Sequence, residues 1–162
     1  MPPQTEFPER IYTVKEWMEA RKSISEGYKH RLRIKGSREF KEKTREALRF
    51  IKATGYYDFL RTYIRQIVEI NGLSQLRESE AAVWLNSYCV KDAVDAASFI
   101  IQKAWQMKEY LDGKLYYDGN AELRAVEKRV EFLNKLKNKT REEKVRQRCE
   151  ELLKQWSESI YL

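Results

Sequence analysis

The chain has 162 residues, 42% hydrophobic and 35% charged, a composition that fits one globular domain and excludes a disordered segment. Its longest stretch free of charged side chains, Ala81 to Val90, is about half of the roughly 20 apolar residues that a bilayer-spanning helix needs, so no membrane contact is expected. The balance of 32 Lys+Arg against 25 Asp+Glu, +7 at pH 7, points to an acidic partner, while one histidine and two cysteines leave little for metal or redox chemistry.

The first eight residues, Met1 to Pro8, have neither the basic start nor the apolar run of a secretory signal, which gives a cytoplasmic expectation. Six glycines and three prolines supply few tight turns, and this argues against a β-rich fold. Residues 1–12 read as an extended segment and residues 13–162 as a single helical domain.

Thr13-Val14-Lys15-Glu16 has the form of a capping box and starts a first helix. Val14, Trp17, Ile24, Tyr28 and Leu32 fall on one face of it, and it should fade near Lys35-Gly36. Ser37 caps a second helix carrying Phe40, Ala47, Leu48 and Ile51, which Gly55 closes. The spacing of Tyr56, Leu60, Tyr63, Ile67 and Ile70 predicts a third helix ending at Asn71-Gly72. From Ser74 to Met107 charge thins out. Two core helices are expected there, with a break near Lys91-Asp92 and an end at Asp112-Gly113. Asn120 is placed to cap a sixth helix bearing Leu123, Val126, Val130 and Leu133. Thr140 to Glu143 forms a second capping box, leading to a last helix with Val145, Cys149, Leu152, Trp156 and Ile160. The short link predicts an antiparallel hairpin of the last two. The expected fold is all-α, about seven helices in a single bundle or a short solenoid-like array of helical pairs.

The chemistry-bearing residues are sparse. Cys89 and Cys149 lie far apart with no CxxC pair and no neighbouring histidine, so zinc-ligand and redox spacings are absent. His30, among the cations of Tyr28-Lys29-His30-Arg31, reads as a solvated surface residue. Asp92 and Asp95 could share a helix face toward a divalent cation, but a helix N-terminus explains both carboxylates better. No nucleotide-binding or hydrolase motif occurs. No cofactor, no metal and no catalytic residue is therefore expected, leaving for an enzyme only a carboxylate- or tyrosine-based site.

Charge is distributed unevenly: +6 over residues 1–55, −2 over 56–119 and +3 over 120–162. Lys29, Arg31, Arg33, Lys35 and Arg38 cluster at the expected junction of the first two helices and are candidate contacts for phosphates. The amides that start the second helix could join them. Trp156, Ile160 and Tyr161 end the last apolar stripe and are candidates for an interface with a partner or a second copy. The leading expectation is a non-catalytic helical interaction protein, binding a protein partner or itself. The alternative is a nucleic-acid-associated protein that grips the phosphate backbone through the basic junction.

Overall fold

The computed structural model describes residues 6–161, with side chains through residue 158. The expected all-α architecture does not form, as bundle or as solenoid. Six helices share the chain with a four-stranded mixed sheet. The strands are β1 (Arg33–Lys35), β2 (Gln66–Ile70), β3 (Gln75–Arg77) and β4 (Ala82–Asn86). Their order is β1-β2-β4-β3, with β1, β2 and β4 parallel and β3 antiparallel to β4.

Helix α1 (Val14–Ser25) starts as expected: Thr13 Oγ1 accepts from the Glu16 amide and the Glu16 carboxylate accepts from the Thr13 amide. It ends ten residues early for a backbone reason. Gly27 takes a left-handed φ of +86°, and the Tyr28 amide donates back to Ser23 O, a glycine-dependent C-terminal closure. Beyond it the chain is extended. The His30 amide donates to Arg61 O and the Arg33 amide to Arg65 O. The stretch Lys29-His30-Arg31-Leu32-Arg33-Ile34-Lys35 alternates charged residues with residues that turn inward, the period of a half-buried strand. Exposure follows suit: Lys29, Arg31, Arg33 and Lys35 are exposed, while Leu32 and Ile34 are half-buried.

Helix α2 (Arg38–Ala53) matches expectation, with Ser37 Oγ accepting from the Phe40 amide and Phe40, Ala47, Leu48 and Ile51 buried. The third helix is cut short. Helix α3 (Tyr57–Tyr63) stops at Ile64, which is extended, and Ile67 and Ile70 belong to β2 instead. The first of the two expected core helices is likewise β3, a single 3-10 turn (Glu78–Glu80) and β4. The second is α4 (Ala93–Leu111), capped by Asp92 and buried along most of its length. Helix α5 (Gly119–Lys139) is capped by Asp118, not Asn120; the Asp118 carboxylate accepts from the Ala121 amide. Helix α6 (Glu143–Tyr161) follows and packs back on α5 as the expected hairpin.

Helices α2 and α4 pack against each other on the side of the sheet carrying Ile34, Ile67 and Val83, which pair in register. Ile67, Val83, Leu85, Ile100, Ile101, Met107 and Phe132 are fully buried there. Arg33 pairs in register with Gln66, and Lys35 with Val68 and then Trp84. These residues lie on the opposite face, where Val68 and Trp84 are only half-buried and the Arg77 guanidinium sits 4.3 Å above the Trp84 ring. Residues 6–12 form a strap at the amino ends of the strands. Phe7 and Ile11 are buried, the Ile11 amide donates to Ser79 O, and the Arg65 guanidinium donates to the carbonyls of Pro8 and Glu9. No helix among the described residues is long and apolar enough to cross a membrane.

Candidate anion-binding cleft

The strap and the edge strand enclose a cleft of about 550 Å³, within the roughly 300–1,000 Å³ of small-ligand sites. Arg31, Arg33 and Lys35 line it from β1 and its approach, Gln66 from β2 and Arg65 from just before β2. The strap contributes Glu6, Phe7, Glu9 and Arg10, and the 3-10 turn contributes Glu80. Three of the five cations singled out in the sequence thus share one cavity. Lys29 continues the same alternation outside the lining. Arg38 is separated from them: it lies on α2, 95% exposed at its side chain, and pairs with Glu42 at 3.5 Å. Lys29, Arg31, Arg33 and Lys35 form no ion pair with any described residue, so their charge is unspent.

Two cleft residues escape a search for charge clusters. Arg10 and Arg65 are far from the 29–38 cluster in sequence and reach it only because the strap crosses the strand ends. Arg65 is half-buried, its guanidinium over the Phe7 ring at 5.1 Å, and loss of hydration lowers its pKa. Its guanidinium is used in fastening the strap, so it is a support more than a free contact.

The solvated His30 expected from the sequence is corrected by the structure: the side chain is 1% exposed. Helical reading places it among cations on a surface, whereas the extended backbone turns it inward. Phe7 and Tyr28 meet it edge-on, with ring centroids at 4.4 and 5.0 Å. Burial, with Arg65 and Arg61 nearby, pushes its pKa down to about 3, so the ring is neutral at physiological pH. Among the described residues neither ring nitrogen finds a hydrogen-bond partner, an arrangement that costs about 1–3 kcal/mol for each group left unsatisfied. His30 also lines the cleft.

At the start of α2 the Ser37, Phe40 and Lys41 amides are already engaged by Glu69, Ser37 Oγ and Ser37 O. The Glu69 carboxylate accepts from the Ser37 amide at 2.8 Å and from Ser87 Oγ at 2.8 Å, and these hydrogen bonds hold its pKa below the usual carboxylate value. Gly36 permits this approach: a Cβ there would stand 2.7 Å from Glu69 Cβ and 2.7 Å from Phe40 Cδ1. Ligands of open α/β sheets usually enter at the carboxyl ends of the strands. Here that end holds a smaller hollow of about 240 Å³, whose helix dipole is already met by the protein's own anion.

Other candidates resolve into structural roles. Asp92 caps α4 and pairs with Arg148 at 2.6 Å, and Asp95 pairs with Arg129 at 2.5 Å. No group of three or more His, Cys, Asp or Glu able to hold a metal occurs among the described residues. Cys149 is fully buried, and burial raises its pKa to about 11; Cys89 is half-buried beside Ser74 Oγ. Trp156, half-buried, packs under the Arg129 guanidinium at 4.5 Å within its own chain. The side chains of Ile160 and Tyr161 lie outside the described residues.

The two basic ends of the chain do not share this cleft. Lys139 and Arg141 border the last turns of α2 near Arg49, Phe50 and Ala53, and Arg49 pairs with Glu142 at 3.1 Å. They lie on the helix-covered side of the sheet, whereas Arg33 and Lys35 face away from it. Compared with known protein families, with curated proteins and with solved structures, the chain matches none.

Proposed function

We propose that the protein is a non-catalytic binder of phosphate-bearing polyanions, with single-stranded nucleic acid as the ligand class. One observation carries this reading: Lys29, Arg31, Arg33 and Lys35 alternate along an exposed edge and have no ion-pair partner among the described residues. Alternate residues of a strand are about 6.6 Å apart on one face, a spacing comparable with that of successive phosphates along an extended strand. The half-buried Trp84 and the cation-bearing open face of the sheet support an extended single strand over a duplex, since exposed bases can stack on aromatic rings. Nothing in this arrangement reads sequence, because contacts to phosphates position a ligand without specifying bases.

Binding of a fluorescent single-stranded oligonucleotide, followed by anisotropy across a salt series, tests the proposal. With about four phosphate contacts the log–log slope is about −2.8. Arg31→Ala, Arg33→Ala and Lys35→Ala together reduce its magnitude by about 2. Absence of binding at about 50 mM salt overturns the reading.

A second reading, docking of a protein partner or a second copy, draws on a different surface. Tyr12, Val14 and Met18 are 66%, 72% and 60% exposed, and Val14 and Met18 are one helical turn apart on α1. Light scattering over a concentration series tests the self-association arm: growth of the mass with concentration supports it, and a constant monomer mass removes it.

A further inference from the structure

The cleft carries charges of both signs, and this narrows the ligand beyond a generic polyanion. Arg31, Arg33 and Lys35 stand on the strand side. The strap and the adjoining turn place Glu6, Glu9 and Glu80 in the same lining, with Arg10 among them. A chain of phosphates running through the whole cleft would meet those carboxylates at close quarters. A chain end would not. Its terminal monoester concentrates about −1.5 to −2 charges in one group, while its sugar hydroxyls and base amino groups are hydrogen-bond donors suited to carboxylate oxygens.

We propose that the cleft seats the phosphorylated terminal nucleotide of a single strand, with the monoester at Arg33 and Lys35, the following phosphates at Arg31 and Lys29, and the sugar and base toward Glu9 and Glu80. The proposal rests on the polyanion reading above. The cleft volume of about 550 Å³ admits one nucleotide and no duplex. His30 backs the lining and makes no contact with the ligand: its ring nitrogens are buried and its ring packs edge-on against Phe7 and Tyr28. Arg65 acts as a positioning residue, since its guanidinium fastens the strap through the Pro8 and Glu9 carbonyls. Lys29, outside the lining, marks the direction in which the rest of the strand leaves.

The experiment compares oligonucleotides of about twelve nucleotides that are identical except for a 5′-phosphate, a 3′-phosphate or no terminal phosphate, at one fixed salt concentration. One phosphorylated form is expected to bind about tenfold tighter than the unphosphorylated one, a difference of about 1.4 kcal/mol. Arg33→Ala abolishes that preference, whereas Lys29→Ala weakens all three probes alike and leaves it intact. Equal affinity for all three probes overturns the terminal-nucleotide assignment and leaves the polyanion reading standing. Failure of all three removes both. Displacement of the oligonucleotide by a polyglutamate peptide at comparable concentration also overturns the assignment, because it makes the cleft a receptor for acidic peptide.

Discussion

In helices α5 and α6 each arginine has a carboxylate partner, whereas Lys135, Lys137, Lys139, Lys144 and Lys154 of the same hairpin, and Arg141 in its link, form no ion pair with any described residue. Arg124 pairs with Glu109 at 2.7 Å, Arg129 with Asp95 at 2.5 Å, Arg146 with Glu143 at 2.7 Å, and Arg148 with Asp92 and Glu151 at 2.6 and 2.8 Å. Along residues 29–35 the cations have none among the described residues. Both stretches are basic, yet the helical arginines spend their charge on carboxylates of the fold, while Arg31, Arg33 and Lys35 stand unpaired in the lining of one cleft. Net charge by segment, +6 and +3, conceals this difference. An unpaired cation repels its neighbours and contributes little to stability, so a row of four is retained at some cost to the folded state. The reason to look for a ligand at β1 is that three of these unpaired cations, Arg31, Arg33 and Lys35, line one cleft.

The comparison breaks most visibly at Arg129. This guanidinium is buried and donates to Asp95, Ser98 Oγ and Gln102 Oε1. Arg129→Ala should destabilise the protein by about 3 kcal/mol, read from urea denaturation, because it strands a carboxylate and two polar side chains. A loss under about 1 kcal/mol would mean that the pairing is ornamental.

The next effect is in pH. His30 has its pKa in the folded protein lowered from 6.5 to about 3, so the unfolded chain takes up a proton that the folded one refuses. Its contribution to stability is therefore complete above pH 6.5 and is lost as pH falls toward 3, at about 1.4 kcal/mol per unit. Between pH 7.5 and 5 the unfolding free energy should drop by about 2 kcal/mol. His30→Leu should flatten that interval. Glu69 and Glu109, whose pKa values are lowered by the Ser37 and Arg124 contacts respectively, act only at more acidic pH. If the leucine variant keeps the full decline, His30 is not the group responsible.

Gly36→Ala tests how firmly the free row is anchored. The added Cβ meets Glu69 and Phe40 at 2.7 Å, and about 1.5 kcal/mol of stability should be lost through overpacking. The smallest effect sharpens the comparison from its other side. Replacing Arg31, Arg33 and Lys35 together by alanine should change stability by no more than about 0.5 kcal/mol. A loss as large as that for Arg129→Ala would show that these cations hold the fold and would remove the reason to assign them to a ligand.

Much of the helical framework is legible in the sequence. The capping box at Thr13, the caps at Ser37 and Asp92, the glycine closures at Gly55 and Gly113 and the α5–α6 hairpin all follow from local hydrogen-bond chemistry, which acts within a few residues. The sheet does not. Its strands are three to five residues long, and the i, i+4, i+7 spacing of Tyr63, Ile67 and Ile70 reads as one face of a helix although the last two lie in β2. Scarce glycine and proline exclude tight hairpins, but parallel strands joined by helices need few of them. Here α2 and α3 carry the chain from β1 to β2. The one local sign was the two-residue alternation from Lys29 to Lys35, hidden because Tyr28 and Leu32 also extend the apolar stripe of α1.

Of the cleft, the sequence showed the cations and not the cavity. Arg31, Arg33 and Lys35 stand out as a cluster, whereas Arg10, Arg65 and the burial of His30 depend on the strap meeting the strand ends, a contact between residues more than 50 positions apart. The same long-range packing places the Glu69 carboxylate on the Ser37 amide at the start of α2.

The central claim, that the row on β1 holds its charge for a phosphate ligand, is tested most directly by the salt dependence of single-stranded oligonucleotide binding to the native chain and to the Arg31→Ala, Arg33→Ala, Lys35→Ala variant. The account predicts a log–log slope of about −2.8 for the native chain and about −0.7 for the variant. Equal slopes for the two proteins would contradict it.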